Sequence, residues 1–181
     1  MSLPAFVEFR KIPRLSRPCV ITEKIDGTNG VVCVTEDGAV IAGSRSRWIT
    51  LAEDNHGFAA WVATHADELR GGLGVGMHYG EWWGAGIQKR YPMISPKRFS
   101  LFNVSRWRDM RPACCDLVPV LYDGPFTTDA VESALWLLRM RGSVAAPGCM
   151  RPEGVVIYHI QGNLLFKKTL EKDEEPKGVM A

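Results

Sequence analysis

Two stretches of the chain place apolar residues at helical spacing. Between Asp54 and Arg70, Phe58, Trp61, Val62, His65 and Leu69 recur every three or four positions, and Gly71-Gly72 supplies a stop. From Asp129 to Arg141, Val131, Leu135 and Leu138 form a second stripe. Asp129 and Glu132 resemble a capping box there, and Gly142 ends the helix. Most of the remaining pattern predicts strands. Gly30–Thr35 and Ala39–Ala42 flank Glu36-Asp37-Gly38 as a hairpin, and Gly154–Ile160 and Asn163–Thr169 flank Gln161-Gly162 as another. Val75–Trp83, Arg98–Val104 and Leu117–Tyr122 read as further strands. Strand runs broken by two helices and tight hairpins predict an α+β domain with antiparallel sheets. Glu171 to Ala181 is charged and reads as a loose tail, leaving residues 1–170 as one domain.

Composition narrows the function classes. The 181 residues are 46% hydrophobic and 23% charged, an ordinary globular balance that excludes a disordered or fibrous chain. No apolar run reaches membrane-spanning length, and Met1 to Arg10 lacks the apolar core of a signal peptide. Net charge is only +2, so any nucleic-acid-binding surface has to be local. Five cysteines without a C-x-x-C pair and four histidines without zinc spacing suggest free thiols in a reducing cytoplasm. Cys33 falls within an apolar strand and reads as core.

One segment carries chemistry: Glu23-Lys24-Ile25-Asp26-Gly27-Thr28-Asn29-Gly30, just before a strand. A lysine amine is a nucleophile only when deprotonated, and neighbouring cations or desolvation favour that form. Gly27 permits close approach of the backbone to a bulky ligand. Alone, such a tetrad is equally a set of surface residues beside a turn.

Other segments follow in order. They are Gly43-Ser44-Arg45-Ser46-Arg47, Tyr79-Gly80-Glu81-Trp82-Trp83-Gly84, Phe99-Ser100-Leu101-Phe102-Asn103-Val104, Glu153-Gly154-Val155-Val156-Ile157-Tyr158 and Leu165-Phe166-Lys167-Lys168. With Lys24-Ile25-Asp26-Gly27 they resemble the motifs of the covalent nucleotidyltransferases, across roughly residues 20 to 170. Glu-Lys-x-Asp-Gly-Thr-Asn, and Gly-Glu-x-x-Gly followed by Gly86-Ile87-Gln88-Lys89, look most like the ATP-dependent RNA ligases. The resemblance implies an ATP-grasp-like ligase nucleotidyltransferase domain, and this chain has no residues left for the OB-fold appended in DNA ligases and capping enzymes.

The resemblance also implies roles. Lys24 attacks the α-phosphate of ATP to form lysyl-AMP, and the AMP passes to an RNA 5′-phosphate that a 3′-OH then attacks. Glu81 contacts the ribose hydroxyls, and Glu153 helps hold Mg²⁺ through waters, with Glu81 and Asp26 as further members of the metal shell. Arg45 contacts phosphate or the RNA end, with Arg47 as the fallback. Phe99 stacks on adenine while Phe102, on the opposite face, packs in the core, although a register error would exchange them. Glu23 helps read the base or is a plain surface glutamate. Lys167 contacts the α-phosphate; Lys168 joins it only if a bulge turns it round. Trp61 and Trp136 sit at helical core spacing, whereas Trp48, Trp82, Trp83 and Trp107 are either groove-lining or structural. Gln88-Lys89-Arg90, Lys97-Arg98 and Arg106-Trp107-Arg108 are candidate phosphate contacts or a solvated basic face.

The expected partner is RNA with 5′-phosphate and 3′-OH ends, with a partner protein or homo-oligomer in place of an accessory domain. Competing readings are a DNA ligase, a GTP-using capping-type transferase, or a non-catalytic module that binds RNA ends or nucleotide.

Overall fold

The computed structural model describes residues 3–171, 173 and 174. Its first strand is one that hydrophobic patterning did not predict: β1, Pro18–Lys24. The segment alternates residues between two buried faces, so it shows no polar-apolar signal. It lies between β7 (Val120–Pro125) and β8 (Gly154–His159), and β9 (Leu164–Thr169) closes this four-stranded antiparallel sheet. Period-two alternation sends Cys19, Ile21 and Glu23 to one side, and Val20, Thr22 and Lys24 to the other. On the first side, Cys19, Ile21, Val155 and Ile157 pack under α4 (Thr128–Arg141) through Val131, Leu135 and Leu138.

The second sheet runs β3 (Val40–Gly43), β2 (Thr28–Val34), β4 (Gly76–Trp83), β5 (Arg98–Leu101) and β6 (Cys115–Leu117). All its pairs are antiparallel except β5 with β6, which is parallel. Its outer face packs Val32, Val34, Trp82, Phe99 and Leu101 against Phe58, Val62 and Leu69 of α1 (Phe58–Thr64) and α2 (Ala66–Leu73). Val20 and Ile25 meet Trp83, Tyr91 and Val118 in a separate cluster that joins the two sheets. The layers are therefore helix, sheet, sheet, helix pair. Lys24 faces inward between the sheets.

Several predicted elements change shape. The 54–70 helix breaks at His65, whose backbone N–H and ring Nδ1 both lie within hydrogen-bond distance of the Trp61 carbonyl. Asp54 starts it by accepting from the N–H groups of Ala59 and Ala60. Gly71-Gly72 does not stop the chain; α2 runs through both to Leu73. The second helix is capped by Thr127, which accepts from the Ala130 N–H at 3.0 Å, while Glu132 is used elsewhere. The expected strand to Val104 ends at Leu101, because Asn103 caps the short helix α3 (Val104–Trp107). The expected 117–122 strand splits into β6 and β7 at Val118-Pro119, and the Pro119 carbonyl accepts from the Glu23 N–H.

Trp82, Trp83 and Trp107 are buried, whereas Trp136, expected in the core, is exposed. Cys33, also expected in the core, is half-buried on the inner face beside Ile41 and Met77. Of the charged tail, only Glu171, Asp173 and Glu174 lie within the described residues. No helix among the described residues is long and apolar enough to cross a membrane.

Candidate active site

Lys24 ends β1 on the inward face, and its ammonium sits 2.5 Å from the Glu153 carboxylate. Glu153 immediately precedes β8, whose Gly154 pairs with Lys24 across the sheet. A Cβ at Gly154 would fall 2.2 Å from the Lys168 carbonyl oxygen, at a φ of 155°. Only glycine lets β8 pass between its neighbours there, and this closeness brings acid and amine together.

Glu81 reaches the same place from β4. One of its carboxylate oxygens accepts from the Gly27 N–H at 3.0 Å and the other from Asn29 Nδ2 at 3.1 Å. These bonds fasten the turn after Lys24 to the second sheet. Gly27 is required by that closeness, since a Cβ would lie 2.5 Å from the Trp82 carbonyl oxygen. Asp26 points to Arg90, with Nε 3.0 Å from its carboxylate.

The acids are crowded and partly dry. Burial pushes Glu81 up from its ordinary value near 4.5 to about 7, and Glu153 adds to the rise, while the Lys24 ammonium and the Gly27 N–H oppose it. Burial also raises Asp26, followed by the Glu153 charge, against Arg90 and Lys24. The unfolded Glu81 loses its proton first, so the stability it contributes is full below about pH 4.5. That stability is lost as pH rises through about 7, on the order of 3 kcal/mol in all. Urea unfolding from pH 4 to 8 is expected to show Glu81→Gln gaining on the natural protein as pH rises. A constant difference between the two would refute it.

The three carboxylates do not form a direct metal cage, and no group of three or more metal-ligating side chains does so among the described residues. Glu81 is committed to Gly27 and Asn29, Asp26 to Arg90, and Glu153 to Lys24. What fits is a hydrated hard cation held through water, because Glu81, Glu153 and Asp26 bring carboxylate oxygens together beside Lys24 while their direct contacts go to protein groups.

The other expected site residues divide clearly. Lys167 lies opposite Val156, on the face that carries Thr22 and Lys24. Lys168 takes the opposite face, and its ammonium is 2.7 Å from Glu132 of α4. It therefore points away from Lys24, as regular pleating requires. Phe99 is not a base platform. It is fully buried on the outer face, its ring centroid 5.0 Å from Phe58 and 5.6 Å from Trp61. Phe102, just past β5, is 41% exposed and follows the parity of Ser100, the face of Glu81 and Trp83. Its backbone N–H donates to the Tyr79 carbonyl.

Glu23 is not a surface residue. It is 1% exposed, and its carboxylate accepts from Ser143 Oγ at 2.5 Å and from the N–H groups of Val144 and Ala145. Burial raises its proton affinity against those bonds. It latches the loop after α4 to β1. Arg45 is exposed on the turn between Gly43 and Trp48 and makes no ion pair among the described residues, while Arg47 pairs with Glu53 at 2.7 Å.

Comparisons with known proteins agree with this architecture. The sequence profile of the RNA ligase family matches residues 17–170. A comparison with curated protein sequences finds no match. Among solved structures, a Naegleria gruberi RNA ligase mutant with AMP and Mn is similar at a TM-score of 0.60 and 19% identity, covering 86% of this chain and 50% of that one. Another mutant of that ligase, with ATP and Mn, gives 0.58 at 19% identity, covering 85% and 50%. An archaeal ATP-dependent RNA ligase gives 0.63 at 16% identity, covering 89% and 48%. The chain spans about half the length of these neighbours. At such identities they show a shared fold, and the profile match over most of the sequence shows descent: the chain belongs to the RNA ligase family.

Proposed function

We propose that this chain is the nucleotidyltransferase unit of an ATP-dependent RNA ligase, built from residues 1–170 with 171–181 appended. The observation that carries the reading is the lysine at the end of β1, facing inward, 2.5 Å from Glu153 and within the field of Glu81 and Asp26. In the first step the Lys24 amine, having lost a proton, forms a bond to the α-phosphorus of ATP as the bond to pyrophosphate breaks. The AMP is then transferred from Lys24 to the 5′-phosphate of an RNA end. Attack by a 3′-OH on that phosphate seals the strand and releases AMP.

Each transfer is in-line, so positioning and charge neutralisation dominate. Lys24 is held as an ion pair in the resting protein, and the positive charge of Lys167 and of a bound cation would favour loss of its proton. Lys167, on the same sheet face, supplies positive charge for the α-phosphate. Phe102 offers its half-exposed ring to the adenine. A hydrated Mg²⁺ near Glu153 and Asp26 would offset phosphate charge. Arg45, exposed and in no ion pair among the described residues, would meet phosphate or the RNA end. The RNA ends are the expected partners, and accessory contacts come from another protein or a second copy. Five free cysteines suit a reducing compartment such as the cytoplasm.

Incubation with labelled ATP and Mg²⁺ is expected to give a covalent adduct that Lys24→Ala abolishes. Nicked or single-stranded RNA should then be sealed in preference to nicked DNA. No adduct with any nucleoside triphosphate, or GTP in preference to ATP, would overturn the reading.

A further inference from the structure

The segment that follows β4 crosses back over the turn carrying the nucleophile. Gln88 Nε2 donates to the Gly27 carbonyl at 3.5 Å. Arg90 Nε donates to Asp26 at 3.0 Å, and Arg90 Nη1 donates to the carbonyl oxygens of Arg151 at 2.9 Å and Pro152 at 3.4 Å. One guanidinium therefore joins the turn after Lys24 to the residues immediately before Glu153. The side chains of Arg90 and Asp26 are 21% and 23% exposed, shielded enough for the pair to resist salt.

The backbone beneath this side chain is itself fixed. The Arg90 carbonyl accepts from the Cys149 thiol at 3.2 Å. Tyr91 beside it is fully buried, its ring 5.0 Å from Trp83 in an edge-on arrangement. Of the basic run at 88–90, Arg90 thus has its donors committed to protein groups, against the expectation of a phosphate contact.

The geometry points to Arg90 as a positioning residue for the proposed nucleotidyl transfer, holding Asp26 and the approach to Glu153 at a fixed separation so that Lys24 stays aligned. The role rests on the ligase reading; the bridge itself does not. Its requirement is a planar fork, because the two sets of acceptors are met by different nitrogens of one rigid group. A lysine at this position has a single ammonium and reaches one set.

The test compares Arg90→Ala and Arg90→Lys with the natural protein in three measurements. These are amide hydrogen exchange at residues 25–28 without ligand, single-turnover formation of the Lys24 adduct at saturating ATP, and KM for ATP. Exchange at 25–28 is expected to quicken in both variants while that of Val31–Val34 is unchanged. Adduct formation is expected to slow by about 10²-fold, as small misplacements of reacting groups do, with KM within about threefold. Arg90→Lys, despite its charge, should recover little of the rate, whereas added guanidinium ion should partly rescue Arg90→Ala.

Unchanged exchange in both variants would overturn the proposal, as would a natural rate in Arg90→Lys. A loss confined to KM would make Arg90 a nucleotide contact instead. Should the natural protein form no adduct, the ligase reading falls and with it the catalytic role, while the exchange result still decides whether the bridge exists. If Arg90→Ala does not fold, Arg90→Lys supplies the same comparison.

Discussion

Phe99→Ala is expected to cost about 3–5 kcal/mol of stability, the usual loss when a buried phenylalanine is truncated. The ring is fully enclosed, and it joins the second sheet to α1 through Phe58 and Trp61. A domain holds only about 5–15 kcal/mol in reserve, so this variant should lie close to unfolding. Phe102→Ala is expected to behave oppositely. Its ring is 41% exposed, so stability should change by less than about 1 kcal/mol. Its removal should weaken ATP binding by roughly tenfold, at the lower end of what one stacked base contributes. Urea unfolding and nucleotide titration on both variants would decide the matter. A stable Phe99→Ala that fails to bind ATP would restore the opposite assignment.

Glu153→Gln carries the second large effect. Lys24 and Glu153 meet at 2.5 Å with side chains 19% and 7% exposed, so water screens the pair poorly. Replacing the acid by its neutral isostere keeps the shape and removes the partner of a partly buried ammonium, which is the costly way to break such a pair. Loss of the carboxylate favours the neutral amine, yet adduct formation is expected to fall by about 10²–10³-fold, the range for losing one preorganised electrostatic contact, because the acid that would hold the hydrated Mg²⁺ and fix the amine in place is gone. Stopped-flow or quenched-flow measurement of the adduct at saturating ATP reads this directly. A variant within threefold of the natural rate would remove Glu153 from the proposed chemistry.

The sequence made the inward-facing chemistry legible where the relevant spacing is local. Lys24, Asp26 and Gly27 share one turn, and strict alternation along β9 separates Lys167 from Lys168. The two hairpins were legible for the same reason. Phe99 and Phe102 were confused because parity says that they face opposite ways but not which face the helices cover. That is decided by Phe58 and Trp61, some forty residues earlier. Glu23 was misread because its partners lie at 143–145, and Arg90 because Asp26 and the 151–152 carbonyls lie more than sixty positions away. β1 went unpredicted because both its faces are covered, which erases the polar half of the pattern.

The arrangement in β1 makes frame a condition of reactivity. Neighbouring positions 23 and 24 carry opposite charges to opposite sides, one to hold a distant loop and the other to meet Glu153. Deleting or inserting a single amino acid anywhere from 19 to 22, with the register held from Pro18, would turn the amine toward α4 and send the Glu23 carboxylate inward to join Glu153, Glu81 and Asp26. This stretch should accept exchanges of side chain far more readily than changes of length.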